Sequence, residues 1–197
     1  MGLTRSLAPL FTPNSSVLNV RQMTGLDSKQ DQILQICCYV TDAELNLLDT
    51  DGFETTIHHP KETLDKMNAW CVETHGKSGL TAAVLASTQT PEEAAGQLLA
   101  YIKGLVPTQG TALLAGNSVH ADQAFLVHEP YKQVLDWLHY RILDVSSVKE
   151  AVRRWSGDAI LRQAPGKAGL HLAREDILES IEEMRFYKQA IFKSPVF

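Results

Sequence analysis

The sequence has few cysteines, no long hydrophobic run and no excess of positive charge. Its three cysteines, Cys37, Cys38 and Cys71, lack C-x-x-C spacing, so they indicate neither a zinc site nor a disulfide framework and favour a reducing compartment. No apolar segment reaches the roughly 18 residues of a membrane span. The 18 basic against 23 acidic residues argue against binding of long duplex nucleic acid over a broad surface. A short nucleic acid held in a small pocket is compatible with this charge.

The 197 residues, 44% hydrophobic and 21% charged, predict one globular domain. The segment 1–26 contains no acidic residue and has arginines at Arg5 and Arg21. Three interpretations of its start are open, namely a targeting segment, a disordered leader and misassigned sequence.

Apolar periodicity predicts the order of strands and helices. A buried strand at 33–40 is followed by a second strand through Leu47 and Leu48 and a third at 53–58, which together form an antiparallel meander. Thr90 and Pro91 begin a helix whose buried face has a spacing of three and four residues. The remaining elements are a strand at 111–115, helices through Phe125 and Leu135, a strand at 140–144, a helix opened by Ser146 or Ser147, and a final helix from about 173. This order predicts an α/β domain with a mixed sheet flanked by helices.

Two polar patches lie at the ends of apolar elements. The first, at 116–122, contains Asp122, and the second, at 171–176, contains His171 and Asp176. Carboxylates from both patches suit magnesium or manganese, and His171 in the preceding loop suits a general base. The alternative is a solvated helix start in which His171 is a cap and Asp176 interacts with the helix dipole.

Several further motifs appear in one characteristic order. They are Met23–Asp27, Trp70 with His75–Leu80, Gly116–Ser118, Asp122 with Phe125 and Leu126, His139–Arg141, Asp144–Ser146, Arg153–Trp155, and His171 with Asp176. From about Met23 to Phe192 the sequence thereby resembles the eukaryotic branch of the oligoribonucleases, 3′-to-5′ exonucleases of the DEDDh group. The resemblance implies an RNase H-like mixed sheet in which a three-stranded antiparallel meander adjoins parallel strands.

The resemblance also implies catalytic roles. Asp122 and Asp176 match acids that hold a pair of Mg²⁺ or Mn²⁺ ions, and His171 matches the histidine that activates the attacking water. Tyr140 matches a tyrosine that is presented across a homodimer.

Substrate-binding roles follow from the same resemblance. Leu26 and Trp70 match residues that wedge and stack two bases, and a cap over the 5′ phosphate is matched by Ser118, Arg141 and Ser146. Taken alone, Trp70 is equally compatible with the core, Arg141 with an ion pair to Asp144 or a nearby acidic residue, and Ser146 with a helix N-cap.

This sequence departs from the family at the family's first motif. Val20 and Gln22 stand where the family has Asp-x-Glu, and the segment 17–21 is a poor candidate for a central strand because Asn19 and Arg21 interrupt it. We therefore divide the chain into a divergent leader, 1–22, and an oligoribonuclease-like domain, 23–197. Either catalysis has been lost, or residues 1–22 are misassigned.

The expected function is 3′-to-5′ hydrolysis of very short oligoribonucleotides, dinucleotides especially, to mononucleotides. The expected activity of this chain is impaired because Val20 and Gln22 lack carboxylates. The alternative is an inactive homologue that binds short oligonucleotides or acts as a scaffold. An exonuclease for longer substrates is less favoured because no basic track is evident. Expected partners are short RNA and a second copy of the chain, with no membrane, in mitochondria, the cytoplasm or both.

Overall fold

A five-stranded mixed sheet forms the centre of the computed structural model, which describes residues 15–166 and 172–192. The strands lie in the order β3-β2-β1-β4-β5. β1 pairs antiparallel with β2 and parallel with β4, β2 pairs antiparallel with β3, and β4 pairs parallel with β5. The strand bounds are β1 Ser15–Met23, β2 Ile33–Asp42, β3 Phe53–Thr56, β4 Ala112–Gly116 and β5 His139–Asp144. This arrangement confirms the predicted fold class.

Helices cover both faces of the sheet. Their bounds are α1 Lys61–Leu64, α2 Ala69–Lys77, α3 Leu80–Ala86, α4 Pro91–Leu105, α5 Val119–Leu126, α6 Lys132–Trp137, α7 Val145–Trp155, α8 Asp158–Leu161 and α9 Ala173–Ala190. Among the described helices, none has the combined length and apolar character that a membrane crossing requires.

The side chains of β2 point alternately to the two faces of the sheet, so they pack in two separate parts of the core. Ile36 and Cys38 pack in one cluster with residues of α4, α5 and α6. Cys37 and Tyr39 point to the opposite face, where they pack with residues of α9. Both cysteines are therefore buried, and burial raises the pKa of the Cys37 thiol to about 12. Such a thiol is not a nucleophile at neutral pH.

The start of α4 confirms the helix predicted there. The backbone N–H of Glu93 donates to Thr90 Oγ1 at 3.2 Å, and the Glu93 carboxylate accepts from the backbone N–H of Thr90 at 2.9 Å. This capping box satisfies donors that the first helical turn leaves open.

The predicted second strand at Leu47 and Leu48 is wrong. The Asp42 carboxylate accepts from the backbone N–H groups of Glu44 and Asn46 and from Asn46 Nδ2, which turns the chain tightly. Only an isolated bridge between Thr41 and Leu47 follows. The antiparallel meander does exist, but its three strands are β1, β2 and β3.

The prediction that 17–21 is unsuited to a central strand is also wrong. These residues belong to β1, which lies in the middle of the sheet and pairs with strands on both sides. Backbone hydrogen bonds to two neighbours override the weak local strand pattern, because β propensity depends on context. Hence residues 15–22 of the predicted leader are ordered in the sheet, whereas 1–14 lie outside the described residues.

Candidate functional site

The end of β1 projects past its parallel neighbour. Pairing between β1 and β4 ends where Leu18 meets Ala115, and β1 continues to Met23. Positions 20 and 22 therefore lie beyond the carboxyl end of β4, at the edge of the sheet where α5 begins. Gln22 is half-buried there, while the side chain of Val20 lies outside the described part of the chain.

A cavity of about 400 Å³ opens beside the end of β1. Leu26 and Trp70 both line it, and their side chains are 82% and 57% exposed. The other lining residues are Gln22, Met23, Gly25, Asn68, Cys71 and His75. The structure thus brings together the two residues predicted to wedge and stack bases, and Trp70 is not a core residue.

Hydrogen bonds hold the loop that presents Leu26. Asp31 accepts from Thr24 Oγ1 at 2.7 Å and from the backbone N–H of Asp27 at 2.9 Å. The backbone N–H of Thr24 donates to the carbonyl oxygen of Gln32 at 3.0 Å. These bonds close the loop between β1 and β2 around Leu26.

The opposite wall of the cavity is α2, which begins at its cap residue Asn68. The Asn68 side chain accepts from the backbone N–H of Cys71 at 2.9 Å. Farther along the helix, His75 is buried and its Nε2 lies 3.0 Å from the carbonyl oxygen of Met23. Sequence reasoning placed His75 in a motif but gave it no role. The signal in the sequence for a buried His75 was its position four residues after Cys71, which places both residues on the same helix face.

Gln22 links this cavity to the start of α9. A second cavity, of about 140 Å³, is lined by Gln22 and by Leu172, the residue before α9. Its remaining lining residues are Gln35, Ser78, Gly79, Leu80 and Ala83. Position 22 therefore lies between the cavity lined by Leu26 and Trp70 and the helix that carries Asp176.

The acidic residues predicted to hold metal ions occupy two helices. Asp122 is buried on α5, and Asp176 is half-buried on α9. Within 15–166 and 172–192, no group of three or more His, Cys, Asp or Glu side chains is arranged to hold a metal ion. The residues present therefore do not fit a site of four carboxylates. His171, the predicted general base, lies outside the described residues.

Ser118 and Ser146 form the second part of the site. The backbone N–H of Ser118 is shared between Asp144 Oδ1 at 2.9 Å and Ser146 Oγ at 3.0 Å, and the two serine hydroxyl oxygens are 3.2 Å apart. Asp144 also accepts from the backbone N–H of Ser146 at 3.0 Å and is the N-cap of α7. The alternative that Ser146 is the cap is therefore wrong.

Tyr140 and Arg141 lie together on the surface of β5. Tyr140 is 76% exposed, and the Arg141 guanidinium lies 5.0 Å from the centre of its ring. The described ion pairs do not join Arg141 to Asp144, and no described contact joins it to Ser118. Ser118 and Ser146 of the predicted phosphate cap thus contact each other, while the described contacts of Arg141 are with Tyr140 and His139.

Most of the chain is similar to known exonucleases. A family model described as exonuclease matches residues 23–184. The chain is 48% identical to the mitochondrial oligoribonuclease of Bos taurus over 172 residues, which cover 87% of this chain and 71% of that protein. It is 43% identical to the oligoribonuclease of Vibrio cholerae over 173 residues, covering 87% of this chain and 92% of the relative.

Solved structures share the fold at low sequence identity. S. pombe Pop2p, in a form with Mg²⁺ and Mn²⁺ bound, matches with a TM-score of 0.67 at 15% identity, over 94% of this chain and 86% of that one. An E. coli ExoI–ssDNA complex matches with a TM-score of 0.67 at 14% identity over 92% of this chain. The match covers 42% of the ExoI chain. These likenesses agree with the RNase H-like fold of exonucleases.

Proposed function

Because the chain belongs to the oligoribonuclease family of exonucleases, we propose that it binds very short oligoribonucleotides in the site of a 3′-to-5′ exoribonuclease. The observation that carries the proposal is the cavity of about 400 Å³ between Leu26 and Trp70. An exposed indole beside an apolar side chain suits the stacking of bases without sequence selection, since every base has a π-face. The small cavity favours dinucleotides over long chains.

The polar part of the proposed site is the serine pair. Ser118 and Ser146 lie at the carboxyl ends of the adjacent parallel strands β4 and β5, where ligands of open α/β sheets commonly bind. We assign them to the 5′ phosphate of the substrate. We also assign Arg141 to this phosphate, as a charged donor. Tyr140 is proposed to act across a homodimer, for which its exposed ring is suited.

Hydrolysis by this chain is proposed to be impaired. The family resemblance implies two-metal chemistry with Mg²⁺ or Mn²⁺, whereas Val20 and Gln22 supply no carboxylate. Asp122 and Asp176 alone are a weak set of ligands for ions that shed water reluctantly. His171 is retained in the sequence and is proposed as the general base. The second candidate function is binding of short oligonucleotides without hydrolysis. It is favoured because Val20 and Gln22 supply no carboxylate, while Leu26 and Trp70 still line the cavity proposed to bind bases.

The proposed compartment is the mitochondrion, since relatives from Bos taurus, Mus musculus and Homo sapiens are named as mitochondrial oligoribonucleases. A reducing compartment also suits the three free, buried cysteines.

The deciding experiment compares two forms of the protein on a 5′-labelled diribonucleotide with magnesium or manganese. The parent is expected to turn over slowly or not at all, and the Val20→Asp/Gln22→Glu double variant is expected to gain metal-dependent release of mononucleotides. Adding Asp122→Asn to the double variant is the matched control and should abolish the gain. Fast turnover by the parent would contradict the proposed impairment, and failure of both forms to bind the dinucleotide would contradict the proposed substrate.

A further inference from the structure

Asn68, the cap residue of α2, also lines the cavity of about 400 Å³ between Leu26 and Trp70. Among the described lining residues, Leu26, Trp70 and Asn68 are the exposed ones. The first two offer apolar and aromatic surface, which suits the faces of bases. Asn68 instead offers an amide group, which suits the polar edge of a base.

The cap bond fixes the orientation of the Asn68 amide. The backbone N–H of Cys71 donates to Asn68 Oδ1 at 2.9 Å. Because a backbone N–H only donates, the amide oxygen must face the helix, and the NH₂ group must point to the other side of the amide carbon. The backbone carbonyl oxygen of Asn68 accepts from the N–H of Val72 at 3.0 Å. The first turn of α2 thus holds both the backbone and the side chain of Asn68.

The NH₂ group of Asn68 is available to a ligand. Within 15–166 and 172–192, the Asn68 Nδ2 atom makes no hydrogen bond to a protein acceptor. An amide nitrogen carries two hydrogens and does not accept. In the free protein water satisfies this group, so only a ligand atom that accepts a hydrogen bond replaces the water that binding removes.

Bases differ in the groups that such a donor meets. Guanine has two acceptors side by side on one edge, N7 and O6, whereas adenine has N7 beside an amino group that donates. Uracil likewise has an acceptor at O4 where cytosine has an amino group. Asparagine commonly binds adenine with both ends of its amide, but the oxygen of Asn68 is turned toward Cys71. The end that remains matches an oxygen on the base and not an amino group.

We propose that Asn68 is a specificity-determining residue, which favours guanine and uracil over adenine and cytosine for the base that stacks on Trp70. The inference rests on the proposed function, because it concerns the same cavity. Stacking on the indole ring accepts any base. The Asn68 NH₂ group adds a hydrogen bond where the base presents an oxygen. Where the base presents an amino group, two donors meet and the amino group loses water without a replacement.

The experiment uses three diribonucleotides, in which both bases are guanine, both are hypoxanthine or both are adenine. Their affinities are measured by calorimetry without divalent metal. Hypoxanthine keeps N7 and O6 of guanine but lacks its 2-amino group, so it isolates the atoms that Asn68 is proposed to contact. The parent is expected to bind the guanine and hypoxanthine forms about 3- to 10-fold more tightly than the adenine form, the size of one neutral hydrogen bond.

Asn68→Asp is the decisive variant. Aspartate is an equally good cap residue, so the midpoint of thermal unfolding should be retained. Its second carboxylate oxygen stands where the NH₂ group was and only accepts, so the preference for guanine over adenine should fall below about twofold or reverse. Asn68→Ser also caps the helix without supplying an NH₂ group. It should bring the guanine and adenine affinities within about twofold of each other.

Ala69→Asp is the matched control for the added charge. Ala69 is exposed at the first position of α2, and it is not among the described lining residues of the cavity. An aspartate there adds the same charge beside the site while the Asn68 NH₂ group stays in place. The control should change the affinities for all three dinucleotides by a similar factor and should keep the preference for guanine.

Two results would overturn the inference while the proposed function stands. One is a parent that binds the guanine and adenine forms equally, or that binds the hypoxanthine form as weakly as the adenine form. The other is a preference for guanine that persists at parental strength in Asn68→Asp. If the parent binds none of the three dinucleotides, the proposed function itself is wrong.

Discussion

His75 Nε2 lies 3.0 Å from the carbonyl oxygen of Met23, and this bond joins α2 to the end of β1. A carbonyl oxygen only accepts, so Nε2 carries the hydrogen. The two elements form opposite walls of the cavity that Leu26 and Trp70 line, and their spacing depends on a side chain that is 2% exposed. A buried histidine thus positions residues of the cavity that is proposed to bind the substrate.

Replacing His75 by alanine should lower both stability and binding. The variant loses a buried ring and leaves the half-buried Met23 carbonyl group without this partner, so the free energy of unfolding should fall by about 2–4 kcal/mol. Urea denaturation measures the loss, and dinucleotide affinity should fall with it. His128→Ala, at an exposed position, is the control and should change stability by less than about 0.5 kcal/mol. Equal stabilities for the two variants would contradict a structural role for His75.

Trp70 is expected to act on binding rather than on stability. Its ring is 57% exposed, and stacking of a base on an aromatic ring is worth about 1–3 kcal/mol. Trp70→Ala should therefore weaken dinucleotide binding by about 10- to 100-fold, measured by calorimetry, with little change in the unfolding midpoint. Trp70→Phe retains a ring and should keep most of the affinity. Wild-type affinity in the alanine variant would show that the cavity is not the base site.

Gly25 is required for close packing in the loop that carries Leu26. A Cβ at this position would lie 2.4 Å from Asp31 Oδ2, and hydrogen bonds from Thr24 and Asp27 hold that carboxylate in place. Gly25→Ala should cost about 1–3 kcal/mol of stability and weaken dinucleotide binding.

Gly96→Ala tests the opposite case, a glycine that has space for a side chain. Gly96 lies within α4, and apart from its chain neighbours and the backbone of its own helix, no atom of the described residues lies within 4 Å of a Cβ built there. The substitution should raise the free energy of unfolding by about 0.5–1 kcal/mol, because alanine has the higher helix propensity. Thermal unfolding of the two variants should move in opposite directions, and a parallel shift would refute the steric argument.

His59 should make stability depend on pH. It is buried, its Nε2 lies 2.9 Å from the carbonyl oxygen of Ile33, and burial lowers its pKa below the ordinary value of 6.5. As the pH falls below 6.5, the unfolded chain takes up a proton more readily than the folded one. The contribution of His59 to stability is thus present above that pH and is lost as the pH falls through its folded pKa.

Urea denaturation at pH 7.5 and 5.5 measures this contribution. Relative to the parent, His59→Gln should lose less stability between these two values, whereas His128→Gln, at an exposed position, should behave as the parent does. An identical loss in both variants would mean that other groups cause the pH dependence.

Local sequence signals were sufficient to predict a helix or strand whose starting cap and buried face both lie within its own residues. The Thr90–Glu93 capping box and the apolar spacing behind it are complete within α4, and the structure has that helix. The motif order likewise indicated the family, the fold and the absence of carboxylates at Val20 and Gln22. Leu26 and Trp70 followed from the same motifs, and they do line one cavity.

Tertiary structure decided the features that depend on distant partners. The strand β1 exists because β2 and β4 pair with it on both sides, although Asn19 and Arg21 interrupt its local pattern. The position of Ser146 likewise depends on distant partners, because the Asn117 amide that it contacts also bonds Ser180 and Glu183 of α9, more than 60 positions along the chain. Sequence determines which donors and acceptors are available, but only the packed fold decides which proton each of them uses.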